Sequence, residues 1–125
     1  MRRTSLFAVA SAVALSCAVL LAQRSSVLDI YFVDVEGGRA TLFVSPSGES
    51  LLVDTGFPGA RDADRIAEVV KQAGLSAIDY LVITHYHGDH VGGVPALAAK
   101  VPIRAFVDHG PNMEEGSRNT GQNFA

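Results

Sequence analysis

The chain has one cysteine, Cys17, in 125 residues. It therefore carries no internal disulfide framework and no thiolate cluster for a metal. It also lacks a basic surplus: 10 Lys and Arg stand against 13 Asp and Glu, a formal charge of −3. That balance excludes the cationic stripe with which a protein grips a phosphate backbone, so no nucleic-acid partner is expected. No internal repeat is visible, which excludes a stacked-repeat architecture. The one long apolar run, Leu6 to Ala22, is shorter than the roughly 20 residues of a full membrane span.

That run follows a short basic start, Met1-Arg2-Arg3-Thr4-Ser5, and ends at a small residue before the polar Gln23-Arg24-Ser25-Ser26. The order of basic, apolar and small residues reads as a secretory signal peptide over 1–22, with 23–27 as a linker. An uncleaved membrane anchor is the competing reading. The chain is thus expected to be exported, periplasmic or secreted. Cleavage at Ala22 would remove Arg2, Arg3 and Cys17, leaving 8 basic against 13 acidic side chains. At 125 residues there is room for one domain at most.

Beyond the linker, apolar and β-branched runs alternate with turn residues. Leu28 to Val35 reads as a strand reaching the flexible pair Gly37-Gly38, Ala40 to Val44 as its return, and Ser50 to Asp54 as a third strand after the turn Ser45-Pro46-Ser47-Gly48. These three predict an antiparallel meander. From about Arg61 to Ala73 the pattern changes to that of a helix, with Ile66, Val69, Val70 and Ala73 on one stripe and Gly74 just past the end. Ile78 to Thr84 predicts a further strand, Pro95 suits the first turn of a short helix, and Pro102 to Val107 predicts another strand. From Asp108 the periodicity is lost, and residues 109–125 are expected to be a loop or a disordered end.

The chemistry concentrates in Thr84-His85-Tyr86-His87-Gly88-Asp89-His90, which holds three of the four histidines and a carboxylate. Imidazole and carboxylate are ordinary ligands of zinc, iron or manganese. Residues two apart in an extended chain point to one side, so His85 and His87 are placed to grip one ion. Gly88 permits a sharp change of direction that carries Asp89 and His90 to a second position beside the first. Two adjacent metals are therefore expected, with Asp89 also positioning a catalytic water. Asp54, at the end of a predicted strand, reads on its own as a turn residue before Thr55-Gly56. Tyr86 and Gly88 read as linkers, Thr84 as a support of the loop, and His109 as a weak additional ligand candidate.

His85-Tyr86-His87-Gly88-Asp89-His90 matches H-x-H-x-D-H, and the chain on that ground resembles the metallo-β-lactamase superfamily. Leu51-Leu52-Val53-Asp54-Thr55-Gly56 resembles that family's strand ending in Asp-x-Gly, which implies for Asp54, against its reading as a turn residue, the role of a carboxylate that orients a metal-bound histidine. The resemblance covers roughly Leu28 to Asp108, and Val33 to Ala40 is similar to the branch that includes the hydrolase-like domain of DNA-uptake channel proteins. It implies an α/β fold, the first half of an αββα sandwich, with a mixed sheet and helices on one face. It further implies a dinuclear zinc site, with His85 and His87 on one metal and Asp89 and His90 on the other. The family's remaining ligands lie in its second half, which this chain does not supply, so a truncated product with an open, self-associating sheet face is expected.

Three functions stay open. The first is a metal-dependent hydrolase, with a small-molecule or ester-type substrate that the sequence does not identify. The second is an iron-dependent redox member of the same fold, as the sulfur dioxygenases and flavodiiron proteins are. The third is a non-catalytic metal-binding fragment.

Overall fold

The computed structural model describes residues 27–111. The expected signal peptide and most of the expected terminal loop lie outside the described residues. The elements run β1 (Asp29–Phe32), β2 (Thr41–Val44), β3 (Ser50–Val53), α1 (Ala60–Gln72), β4 (Ile78–Val82), α2 (Gly88–Val91), α3 (Val94–Ala98) and β5 (Ile103–Val107). All five strands form one sheet in the order β1-β2-β3-β4-β5. The first three pair antiparallel. β3, β4 and β5 pair in parallel. The connections explain the change of direction: short turns join the first three strands, whereas a parallel neighbour requires a long crossover, here a helix.

Two strands are shorter than their sequence suggests. β4 ends at Val82 because the Thr84 N–H donates to the Asp54 carboxylate and not to a neighbouring strand. β1 ends at Phe32, and the following chain turns at Glu36, whose φ is 43°. α1 places Ile66 and Val70 in the core as its periodicity predicts, and adds Ala63 and Asp62. Gly74, with φ 73°, closes the helix as a left-handed residue. No helix among the described residues is long and apolar enough to cross a membrane.

The strand registers produce two chemically similar but physically different faces. Tyr31, Leu42, Leu52, Leu81 and Phe106 stand opposite one another across the sheet. Leu42, Leu52 and Leu81 are fully buried with Ala63 and Ile66 of α1 and Leu97 of α3. Because side chains alternate along a strand, the next row, Ile30, Phe43, Leu51, Tyr80 and Ala105, lies on the other face. There Ile30 is 46% exposed and Tyr80 41%. The helices thus cover one face, as the resemblance implies, and the other stays apolar and partly open among the described residues.

Two carboxylates tie the periphery together. Asp79 of β4 accepts from the Ser50 N–H and hydroxyl of β3 and pairs with Arg104 of β5. The Ser50 N–H is the main cause that holds its carboxyl below the usual range. Asp62 is buried and accepts from the Phe57 N–H at 2.7 Å and from Arg61 Nε at 2.6 Å. Burial pushes the Asp62 carboxyl up, and the hydrogen bonds from Arg61 and Phe57 with the charges of Arg61 and Arg65 outweigh it, so the group sits below its ordinary value. Arg61 also reaches Glu36, and Arg65 reaches Asp34, which fastens the β1–β2 loop to α1.

The two faces respond differently to truncation. Leu52→Ala is expected to cost about 2–5 kcal/mol in denaturant unfolding, whereas Tyr80→Ala on the open face costs about 1 kcal/mol or less. A lowered carboxyl stabilises the fold at pH values above its unfolded-state pKa, and that contribution disappears as pH falls through the folded value. Asp62→Asn is therefore expected to be less stable than the parent near neutrality and to converge with it in acid, as chemical denaturation at several pH values would show.

Candidate metal centre

The parallel strands bring the site together. Asp54 follows the C-terminal end of β3, and Thr84 to His90 follow the C-terminal end of the adjacent β4, the edge at which α/β sheets place their ligand sites. Asp54 has φ 59°, unusual for a residue with a side chain. Its own N–H donates to the Val82 carbonyl at 2.8 Å, and its carboxylate has no exposed surface. Oδ1 accepts from the Thr84 N–H at 2.8 Å, while Oδ2 accepts from the Thr84 hydroxyl at 2.7 Å and lies 2.8 Å from His90 Nδ1. These bonds hold the backbone at Asp54 in a sparsely populated region. The Asp54 carboxylate is thus hydrogen-bonded to both Thr84 and His90.

The histidine loop is anchored by its backbone. The Thr55 N–H and hydroxyl both donate to the His90 carbonyl, at 2.7 and 3.0 Å. The Arg39 N–H donates to the Asp89 carbonyl at 3.2 Å, and the Gly93 N–H to the Gly56 carbonyl at 3.2 Å. These contacts need close approach. A Cβ on Gly38 would lie 2.6 Å from the Asp89 carbonyl oxygen, and one on Gly93 would lie 2.1 Å from the Thr55 carbonyl oxygen. Gly88 is different. It begins α2 without a positive φ, and a Cβ there would meet nothing within 4 Å. The expected change of direction is therefore made by the onset of the helix, with His87 at its N-cap, and not by glycine's conformational freedom.

The rings of His85, His87 and His90 lie near one another. The His85 ring lies 4.7 Å from that of His87 and 3.9 Å from that of His90, centroid to centroid. His90 Nε2 is 3.6 Å from Asp89 Oδ2. The donor types suit a divalent cation, and Asp54 stands behind His90 as an orienting carboxylate does behind a ligand. Among the described residues, however, no group of three or more His, Cys, Asp or Glu side chains is placed to hold a metal ion. The donor types fit a metal in chemistry, while their placement falls short of a metal-holding group.

Two residues stand elsewhere than the sequence suggests. Tyr86 is more than a linker: its hydroxyl donates to the Gly110 carbonyl at 2.6 Å, and its ring lies 4.8 Å from that of His109. Burial, with the Asp108 charge adding to it, pushes the phenol up. His109 is thereby paired with Tyr86 beside the motif, and the structure does not group its ring with those of His85, His87 and His90. The sequence reading also passed over Arg39, Thr55 and Gly93, which hold the loop through backbone contacts. The only sign of them was their place beside recognisable segments.

The glycine contacts make a direct contrast. Gly88→Ala is expected to leave folding and the histidine loop essentially unchanged, while Gly93→Ala must displace the Thr55 backbone and should lower stability by roughly 1–3 kcal/mol. Thermal unfolding and histidine NMR shifts of the two variants would check this.

Comparison with known proteins follows the same residues. The family model of the metallo-beta-lactamase superfamily matches residues 33–117. The lactamase-like protein notP of Aspergillus sp. (strain MF297-2) is 36% identical over 89 residues, 70% of this chain and 27% of that protein. The atrochrysone carboxyl ACP thioesterase dmxR1 of Cryptosporiopsis sp. (strain 8999) is also 36% identical over 89 residues, with the same coverage of 70% and 27%. Among solved structures, MEM-A1, a subclass B3 metallo-beta-lactamase from a soil metagenome library, superposes with a TM-score of 0.50 at 30% identity, covering 61% of this chain and 28% of that one. The matched part thus spans about a quarter of the length of these relatives. A sheet with helices on one face, an Asp-x-Gly strand end gripping the last histidine of H-x-H-x-D-H, and a family match over most of the described residues place this chain in the metallo-β-lactamase superfamily.

Proposed function

We propose that the chain carries the first ligand group of a metal-dependent hydrolase acting on an acyl substrate, of the ester or thioester class. The observation that carries this reading is the buried Asp54 carboxylate holding His90 by Nδ1 at 2.8 Å, with His90 Nε2 beside Asp89 and the His85 ring in contact. A histidine held at one ring nitrogen by a carboxylate presents the other as a ligand. In this reading His85 and His87 hold one zinc, and Asp89 and His90 hold a second. A bound zinc supplies a water acidic enough to act near neutral pH and polarises the carbonyl under attack. The side chains of this chain orient and hold: Asp54 fixes His90, and Thr55 and Arg39 fix the backbone that carries His90 and Asp89. The thioester preference is supported by the relatives named as acyl-carrier-protein thioesterases.

Two side chains per metal are fewer than the three protein ligands of an ordinary catalytic zinc. Binding by this chain is accordingly loose, and turnover slow. Zinc titration by calorimetry is expected to give weak binding that loses one metal equivalent in His85→Ala/His87→Ala and is little changed in His109→Ala. A screen on thioester, lactone, β-lactam and phosphodiester substrates should find at most slow hydrolysis, highest on the thioester. Zinc binding unchanged in the double variant would overturn the assignment.

A further inference from the structure

Hydrogen accounting around Asp54 extends to a second histidine. The Thr84 hydroxyl lies 2.7 Å from Asp54 Oδ2 and 3.1 Å from His85 Nδ1. A hydroxyl has one hydrogen to give and lone pairs with which to accept. A carboxylate only accepts, so at 2.7 Å the Thr84 hydrogen must lie on the line to Asp54. Oγ1 then has only lone pairs to offer His85, and His85 Nδ1 must carry a hydrogen to complete the second contact. The opposite arrangement, with Thr84 donating to His85, would leave two acceptor oxygens 2.7 Å apart with no proton between them.

We propose that Thr84 is a positioning residue whose hydroxyl relays the Asp54 carboxylate to His85, fixing His85 as the Nδ1–H tautomer with Nε2 left as the donor. Asp54 thereby sets two imidazoles at once. It holds His90 directly through Nδ1 and His85 through one intervening hydroxyl. The chain places this device without extra elements, because Thr84 also gives its backbone N–H to the other oxygen of the same carboxylate, at 2.8 Å. Both carboxylate oxygens therefore hold Thr84, and the residue that precedes His85 is fixed at its backbone and its side chain together.

The consequence for metal affinity rests on the proposed function, whereas the tautomer does not, and the test separates them. Two-bond proton–nitrogen correlation spectra of the metal-free, nitrogen-15-labelled full chain distinguish a protonated from an unprotonated ring nitrogen on each neutral histidine. The parent and Thr84→Ser are expected to show Nδ1–H at both His85 and His90. Thr84→Val should retain it at His90, which reports an intact fold, and lose it at His85. In a parallel cobalt titration, Thr84→Val should bind roughly ten- to a hundred-fold more weakly than the parent, with Thr84→Ser restoring most of the loss. A parent His85 protonated at Nε2, or an Nδ1–H at His85 that survives in Thr84→Val, overturns the relay. If Thr84→Val loses both tautomers, failure of Thr84→Ser to keep the parent pattern overturns it as well. Absence of cobalt binding by the parent overturns the metal reading alone and leaves the tautomer result standing.

Discussion

A carboxylate without exposed surface is stable only when its oxygens are matched by donors, because taking a charge out of water costs several kcal/mol otherwise. Asp54 meets that requirement with three donors: the Thr84 N–H, the Thr84 hydroxyl and His90 Nδ1. Each of those donors belongs to the segment that carries the histidines. The same constraint that makes Asp54 tolerable therefore locks the motif loop onto the end of β3. The φ of 59° at Asp54 is accepted for the same reason: the strain of a left-handed residue is offset by the bonds that its carboxylate makes.

Around that centre the molecule uses backbone contact more than side-chain packing. Thr55 and Arg39 donate to the carbonyls of His90 and Asp89, and Gly93 to that of Gly56. Glycine at positions 38 and 93 permits the approach, since any side chain would collide with a carbonyl oxygen. Further out, the buried Asp62 ties the loop after Gly56 to α1, and Arg61 and Arg65 extend the tie to the β1–β2 loop. Two segments distant in sequence, at Arg39 and at Thr55, thus bond directly to the backbone of the histidine loop. Such bonds fix position within tenths of an ångström, which is the tolerance that converging ligands require.

The sheet supplies the platform and divides the protein into a finished and an unfinished side. On the finished side the row through Leu42, Leu52 and Leu81 is sealed by α1 and α3. On the other, the row through Ile30, Phe43, Leu51, Tyr80 and Ala105 is equally apolar and partly exposed. The alternation of side chains along each strand makes both rows unavoidable once the register is set. Among the described residues the helices lie against the first face, which leaves Ile30 and Tyr80 of the second partly exposed.

Much of this was determined locally and could be read from the residues alone. The meander came from turn residues between β-branched runs, α1 from its spacing of Ile66, Val69, Val70 and Ala73, and the grouping of donor types from three imidazoles and a carboxylate within six positions. Local rules suffice there because turns, helical stripes and ligand types depend on neighbours in sequence. They misjudged Gly88, which is an ordinary helix start, and Tyr86, whose hydroxyl finds Gly110 some 24 residues away. They also could not show that Asp54 lies against His90 or that Thr84 lies between Asp54 and His85. Those outcomes were decided by the parallel pairing of β3 with β4, which sets residues 30 and 36 positions apart within hydrogen-bond reach. Only the tertiary structure brings such groups together, because a hydrogen bond is specified by distance and direction in space, and neither is encoded in the spacing of residues along the chain.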